Sequence, residues 1–176
     1  MKANQRRKEL LKLLKIADGP ITGSDLAEKL GVSRQIIVQD IAILRAAGEE
    51  ILATSQGYLL SGKTGLQTVK AIIACKHTNN EVGDELMTIV NYGAKVIDVI
   101  VEHPIYGELK GLLMIQTPAD VIKFMEKYRQ YEAALLSVLT GGVHLHTIEA
   151  MNEQVIERLK EDLKEKGYLL ENDIPD

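Results

Sequence analysis

The sequence predicts an α+β chain built as two units in series, and three observations predict it. Three short helical periodicities run back to back over the first fifty or so residues and end in a pair of strands. A polar, glycine-rich stretch, SGKTG, follows at 61–65. Beyond it the pattern changes to β-α-β-β-α-β with a charged helix after the last strand. These place a linker at 63–65 between an N-terminal unit, 1–62, and a C-terminal unit, 66–176. A chain of 176 residues has room for two small domains.

Residues 4–17 set Leu10, Leu11, Leu13, Leu14 and Ala17 at helical spacing, and Gly19-Pro20 stops the run. Ile21 reads as a short extended segment. A second helix spans 24–30, with Ser24 as N-cap, Leu26, Ala27 and Leu30 on one face, and Gly31 as terminator. Ser33 caps a third helix, whose inward face is Ile37, Ile41 and Leu44, and Gly48 closes it. Residues 51–54 and 58–60 read as a β-hairpin turning through Ser55-Gln56-Gly57.

In the second unit, 66–75 reads as a strand and 79–92 as a helix with Val82, Leu86, Ile89 and Val90 inward. Strands at 95–102 and 108–115 flank a turn around Pro104 and Gly107. Thr117-Pro118 starts a helix over 118–132, where proline suits the first turn. Gly141-Gly142 precedes a strand at 143–150, a charged helix follows at 152–166, and 168–170 adds an edge strand. This order is that of a ferredoxin-like split βαβ sandwich.

Hydrophobic residues make up 45% of the chain and charged residues 26%, which excludes a disordered or collagen-like protein. Tryptophan is absent and phenylalanine occurs once, so Leu, Ile, Val and Ala must build the cores. No apolar run approaches the roughly 18–20 residues that span a bilayer. The start, MKANQRRKELL, lacks the apolar stretch of a secretory signal. The single cysteine, Cys75, rules out an internal disulfide and fits a reducing compartment. A cytoplasmic location without membrane partners is expected. The net charge of −4 is uneven: Lys2, Arg6, Arg7, Lys8, Lys12 and Lys15 stand against Glu9 alone within residues 1–16. Such a run is an ordinary solvated face unless its neighbours read nucleic acid.

They have the pattern to do so. In SDLAEKLGVSRQIIVQDIAILRAAG, Ala27 is small where two helices cross, Gly31 makes the turn and Val32 plugs the junction. Ser33, Arg34, Gln35 and Gln39 form a polar outer face at the start of the second helix of the pair. Arg and Gln reach base edges in the major groove, and Ser33 with its helix N-terminus holds a phosphate. Arg6, Arg7 and Lys8 add salt-dependent phosphate contacts. The assembly reads as a winged helix-turn-helix, with the hairpin as its wing.

The four histidines form a second constellation. His144 and His146 alternate onto one face of a strand, His77 follows another strand, and Glu85 lies on the next helix. Imidazoles with one carboxylate suit one divalent transition ion per chain, Ni, Zn, Co or Fe, better than Ca or Mg. Cys75 is a further donor two residues before His77, but alternation joins the two only if the strand runs through both, and it reads as a small core residue. Asp98 and Glu102 share a strand face without an acid-base partner, and no catalytic or phosphate-binding motif occurs.

Through GSDLAEKLGVSRQIIVQDIAILRAAGEEILATSQGYLL the first unit resembles the winged helix of bacterial repressors. Through CKHTNNEVGDEL, VEHPIYGEL and GGVHLHTIEA the second resembles the three-histidine, or 3H, domain. Together they resemble the niacin-responsive repressors of NAD biosynthesis and niacin uptake. That resemblance implies nicotinic acid as effector, His77, Glu85, His144 and His146 as metal ligands, and His103 at the effector. It also implies a homodimer on double-stranded operator DNA and no enzymatic activity. The rival expectation is a metal-dependent small-molecule enzyme fused to a DNA-binding domain.

Overall fold

In the computed structural model, which describes residues 2–61, 68–131 and 133–170, the chain divides into two units, Met1–Gly65 and Leu66–Asp176. The linker expected at 63–65 lies outside the described residues.

The N-terminal unit holds α1 (Ala3–Ile16), α2 (Gly23–Leu30), α3 (Arg34–Ala46), β1 (Ile51–Thr54) and β2 (Gly57–Leu60). Its core joins Leu10 and Leu14 of α1, Leu26 and Leu30 of α2, and Ile37, Ile41 and Leu44 of α3 to Ile51. Gly31 ends α2 in the left-handed region, φ 64°, as a helix terminator should. The cap of α2 lies two residues earlier than the sequence indicates. Thr22 is the extended residue, and its side chain accepts from the Asp25 N–H at 3.1 Å, while Ser24 sits inside the first turn. Thr22 takes this place because Ile21 before it is pinned to the wing by paired backbone bonds with Tyr58. The wing can approach only because residue 57 is glycine: a Cβ there, at φ 131°, would strike the Ile21 carbonyl.

The second unit comprises β3 (Val69–Lys76), α4 (Val82–Asn91), β4 (Lys95–His103), β5 (Gly107–Ile115), α5 (Pro118–Tyr131), a short 3-10 turn (Leu136–Thr140), β6 (Val143–Ala150) and α6 (Glu153–Glu165). Its four strands form one antiparallel sheet in the order β3-β6-β4-β5. The split βαβ is present, since β3 and β4 run parallel with one strand between them. That strand is the last one, β6, which puts the β4–β5 hairpin at the edge; a plain ferredoxin order would fill the gap with the third strand. The core lies between the sheet and all three helices. It joins Leu86 and Ile89 of α4, Val121 of α5, and Leu159 and Leu163 of α6 to Val96, Ile115 and Ile148 of the sheet. At the sheet's end, Lys76 N–H donates to the Tyr168 carbonyl and Leu170 N–H to the Ala74 carbonyl. The edge strand expected at 168–170 is thus a short bridge against β3. Among the described residues no helix is long and apolar enough to cross a membrane.

Candidate metal centre and nucleic-acid interface

On α3, the Ser33 hydroxyl accepts from the Ile36 N–H at 3.4 Å and so is occupied in capping the helix. Arg34, Gln35 and Gln39 are exposed on the side opposite the buried Ile37 and Ile41. The Arg34 stem lies over Gly23 beside the Tyr58 ring. Lys8 is exposed. Arg6 and Arg7, grouped with Lys8 by the sequence, turn toward Asp40 of α3 instead. Arg6 Nε and Nη2 donate to the two carboxylate oxygens at 2.6 and 3.3 Å, and Arg7 Nη1 adds a third bond at 3.2 Å. Asp40 is 2% exposed, and its hydrogen bond holds the Arg6 guanidinium above its ordinary pKa. A carboxylate buried in a helix bundle demands a cation, and a planar guanidinium is the one that matches both oxygens. The only sequence signal for Asp40 was its place one turn before Leu44, on a face otherwise apolar.

In the second unit the topology gathers the histidines. With β6 in the middle of the sheet, His146 stands opposite both Ile73 and Val99, and His144 opposite Cys75. His77 follows the end of β3, and the start of β6 is pressed against it. A Cβ on Gly142, at φ 94°, would collide with the His77 carbonyl oxygen. Glu85 points down from the first turn of α4. Its oxygens lie 2.6 Å from His77 Nε2, 3.3 Å from His144 Nε2 and 3.5 Å from His146 Nε2, and the four side chains are 1–3% exposed.

The other ring nitrogens fix what these contacts mean. His77 Nδ1 lies 2.9 Å from the Thr78 carbonyl, His144 Nδ1 2.8 Å from that of Gly142, and His146 Nδ1 2.6 Å from that of Asp98. A carbonyl only accepts, so each Nδ1 carries the proton and donates. Each neutral ring then turns a lone pair on Nε2 toward a carboxylate that is itself an acceptor. Four acceptors converging at this range need donated protons or a metal ion among them. With protons, burial lowers His77 and His146, yet Glu85 outweighs it and raises both. Burial pushes Glu85 up, and the imidazoles outweigh it to hold the carboxylate well below its ordinary range. The Asp98 carbonyl reaches His146 at a bulge in β4 between Val96 and Asp98, which re-aims the backbone there. Neutral imidazoles with Nδ1 anchored to backbone and Nε2 aimed inward are the arrangement a transition-metal site uses, so the donor set fits the expected ion.

The cluster forms the floor of a pocket of about 350 Å³, counting its open mouth. Its walls are Val82, Leu86, Val99, Leu113, Phe124, Leu135 and Leu136, with Ser137 as the polar exception. Leu136 and Ser137 come from the 3-10 turn, for which the sequence carries no periodic signal. Leu136 lies against Gly111 of β5, where any larger residue would meet its Cδ1 at 3.4 Å. Tyr168 packs edge-on against His77 at 5.4 Å and donates its hydroxyl to Asp84 at 3.0 Å.

His103 is placed differently from the other three. Its Nδ1 accepts from the Ile105 and Tyr106 N–H groups at 3.2 and 3.3 Å, and the ring lies against Tyr106. It caps the β4–β5 turn and is not among the residues that line the pocket. An accepting Nδ1 leaves the proton of the neutral ring on Nε2, the tautomer opposite to that of the cluster.

Residues 70–172 match the 3H domain family, and residues 6–59 match an HTH domain. The chain is 44% identical over 167 residues to the probable transcription repressor NiaR of Thermotoga maritima, covering 95% of this chain and 94% of the relative. The chain belongs to this family of 3H-domain transcription repressors. It is also 44% identical over 169 residues to the transcription repressor NadR of Bacillus subtilis, again covering 95% and 94%. The transcriptional repressor CcpN of Bacillus subtilis shares 33% identity over 99 residues, 55% of this chain and 44% of its own length. All the cluster residues of this repressor fall inside the segment matched by the 3H family, and α3 falls inside the segment matched by the HTH domain.

Proposed function

We propose that this cytoplasmic repressor binds operator DNA as a homodimer and responds to nicotinic acid at a metal-bearing 3H pocket, controlling genes of NAD biosynthesis or niacin uptake. The observation that carries the reading is the convergence of three Nε2 lone pairs on the Glu85 carboxylate at the floor of an apolar pocket. His77, Glu85, His144 and His146 would hold one divalent transition ion, Ni, Zn, Co or Fe, and the ion would offer a Lewis-acidic contact to a pyridine nitrogen or a carboxylate. Apolar walls such as Phe124 and Leu136 above a polar floor favour a small flat molecule with one polar group. Glu85 is fully engaged by the imidazoles and so is poorly placed as a general base, which supports a sensor over an enzyme.

In the N-terminal unit, Arg34, Gln35 and Gln39 read base edges while the helix start at Ser33 and the exposed Lys8 meet phosphates. Two copies related by a two-fold axis would place two such helices on a palindromic operator. The sheet face turned away from the helices, with Ile72 63% and Val143 38% exposed, offers apolar area for the pairing. Effector binding shifts the population toward the dimer that fits the operator spacing. The test is promoter-fragment binding at fixed salt, with and without nicotinic acid and with and without a chelator. The expected result is an operator affinity that changes with nicotinic acid and loses that change under chelation. An affinity indifferent to both, or turnover of the pyridine by the metal-loaded protein, overturns the reading.

A further inference from the structure

We propose that Cys75 is a fifth protein donor to the ion held by His77, Glu85, His144 and His146. The inference rests on the metal reading above and extends it to a residue that the sequence offers as a further donor but that reads there as a small core residue. Three observations carry it. β3 runs without interruption to Lys76, so Cys75 faces the helix side of the sheet, directly opposite His144. Its side chain is fully buried. Its Sγ, a Glu85 oxygen and a His144 ring nitrogen all lie within 4.8 Å of one another. Cys75 also belongs to the apolar core, yet its sulfur lies within reach of a buried carboxylate and an imidazole of the cluster.

Coordination exchanges the S–H bond for a metal–sulfur bond, and the proton leaves to solvent, as it does for any thiol ligand. Two consequences follow. A thiolate shifts the preference of the site toward Zn, Co and Ni and away from Mn and Mg. Five protein donors leave a single position on a six-coordinate ion, so the small molecule that reaches the ion contributes one atom, a pyridine nitrogen or one carboxylate oxygen, and does not chelate.

The experiment loads the full-length, metal-free protein with cobalt(II) and records its absorption from the near ultraviolet to the visible. Wild type is expected to show the visible bands of a bound cobalt ion together with a near-ultraviolet sulfur-to-cobalt charge-transfer band. Cys75→Ser is expected to keep the visible bands, lose the charge-transfer band and bind zinc at least tenfold more weakly. Should the variant fold poorly, X-ray absorption of the zinc-loaded wild type decides alone, through a sulfur neighbour at about 2.3 Å. Bound cobalt without a charge-transfer band, or zinc without a sulfur neighbour, overturns the proposal while leaving the metal site intact; the thiol would then only donate to Glu85. Absence of any bound cobalt in wild type overturns the metal reading and this inference with it.

Discussion

Asp40 of the first unit and Glu85 of the second are both buried carboxylates, and they are answered in opposite ways. Asp40, 2% exposed, meets two guanidiniums that carry their charge at every pH a cell reaches. Glu85, 1% exposed, meets three imidazoles, bases that can give up a proton and offer a lone pair where a guanidinium cannot. The first arrangement is complete as it stands and fastens α1 to α3. The second is complete only when a cation joins it. Burial of an acid therefore marks either a brace or a binding site, and the partner's chemistry tells which.

The largest expected effect comes from removing the bases. His144→Ala with His146→Ala takes two of the lone pairs, and metal affinity measured against a competing chelator should fall by well over about 100-fold, more than the 10–100-fold that loss of an outer contact costs. DNA binding should become indifferent to nicotinic acid. Wild-type titration of nicotinic acid by the double variant would break the comparison, because the cluster would then be a second brace.

Acidity separates the two carboxylates further. In chelated protein, Glu85 is held below its ordinary pKa and His77 and His146 above theirs. Their joint contribution to stability is complete between about 4.3 and 6.5, the ordinary glutamate and histidine values. It is lost as pH falls through the lowered carboxylate and as pH rises through the raised imidazoles. A bound ion reverses the alkaline side, since it must displace those protons and binds more tightly as pH rises. Melting temperatures across pH 6 to 9 should therefore fall in chelator and hold or rise in metal, and parallel curves would sink this account.

The helices and strands were largely legible. Apolar spacing and the glycines at 31, 48, 107 and 141–142 located them, and the H-x-H pair announced a site. What stayed hidden was pairing. Nothing local to β6 says that it inserts between β3 and β4, yet that insertion brings His146 beside Val99 and His144 beside Cys75. Arg6, Arg7 and Lys8 look alike in a string, and only the buried Asp40 distinguishes the two that turn inward. The Leu136–Thr140 turn is too short to show a period.

Smaller effects sharpen the contrast at the DNA face. Arg34→Ala or Gln39→Ala should cost about 1–3 kcal/mol of operator binding per lost base contact without altering metal content. Lys8→Ala should weaken all sequences alike and reduce the salt slope by about one. Asp40→Asn should lower the melting temperature equally with and without chelator, and an effect confined to the metal-loaded protein would contradict its role as a brace. Least of all, His103→Ala should leave metal content unchanged, with loss of order restricted to the turn it caps, as hydrogen exchange at Ile105 and Tyr106 would report.

The short bridge from 168–170 to β3 bears on solubility. A sheet edge offers unpaired backbone groups to any neighbouring chain, and proteins that stay dispersed must cover it. Here the stretch Ala74 to Lys76 has its hydrogen bonds taken by Tyr168 and Leu170. Two copies therefore cannot zip together along that stretch. Ending the chain at Gly167 would bare the edge beside the cluster, and light scattering should then show open-ended aggregation where the intact protein shows a defined particle.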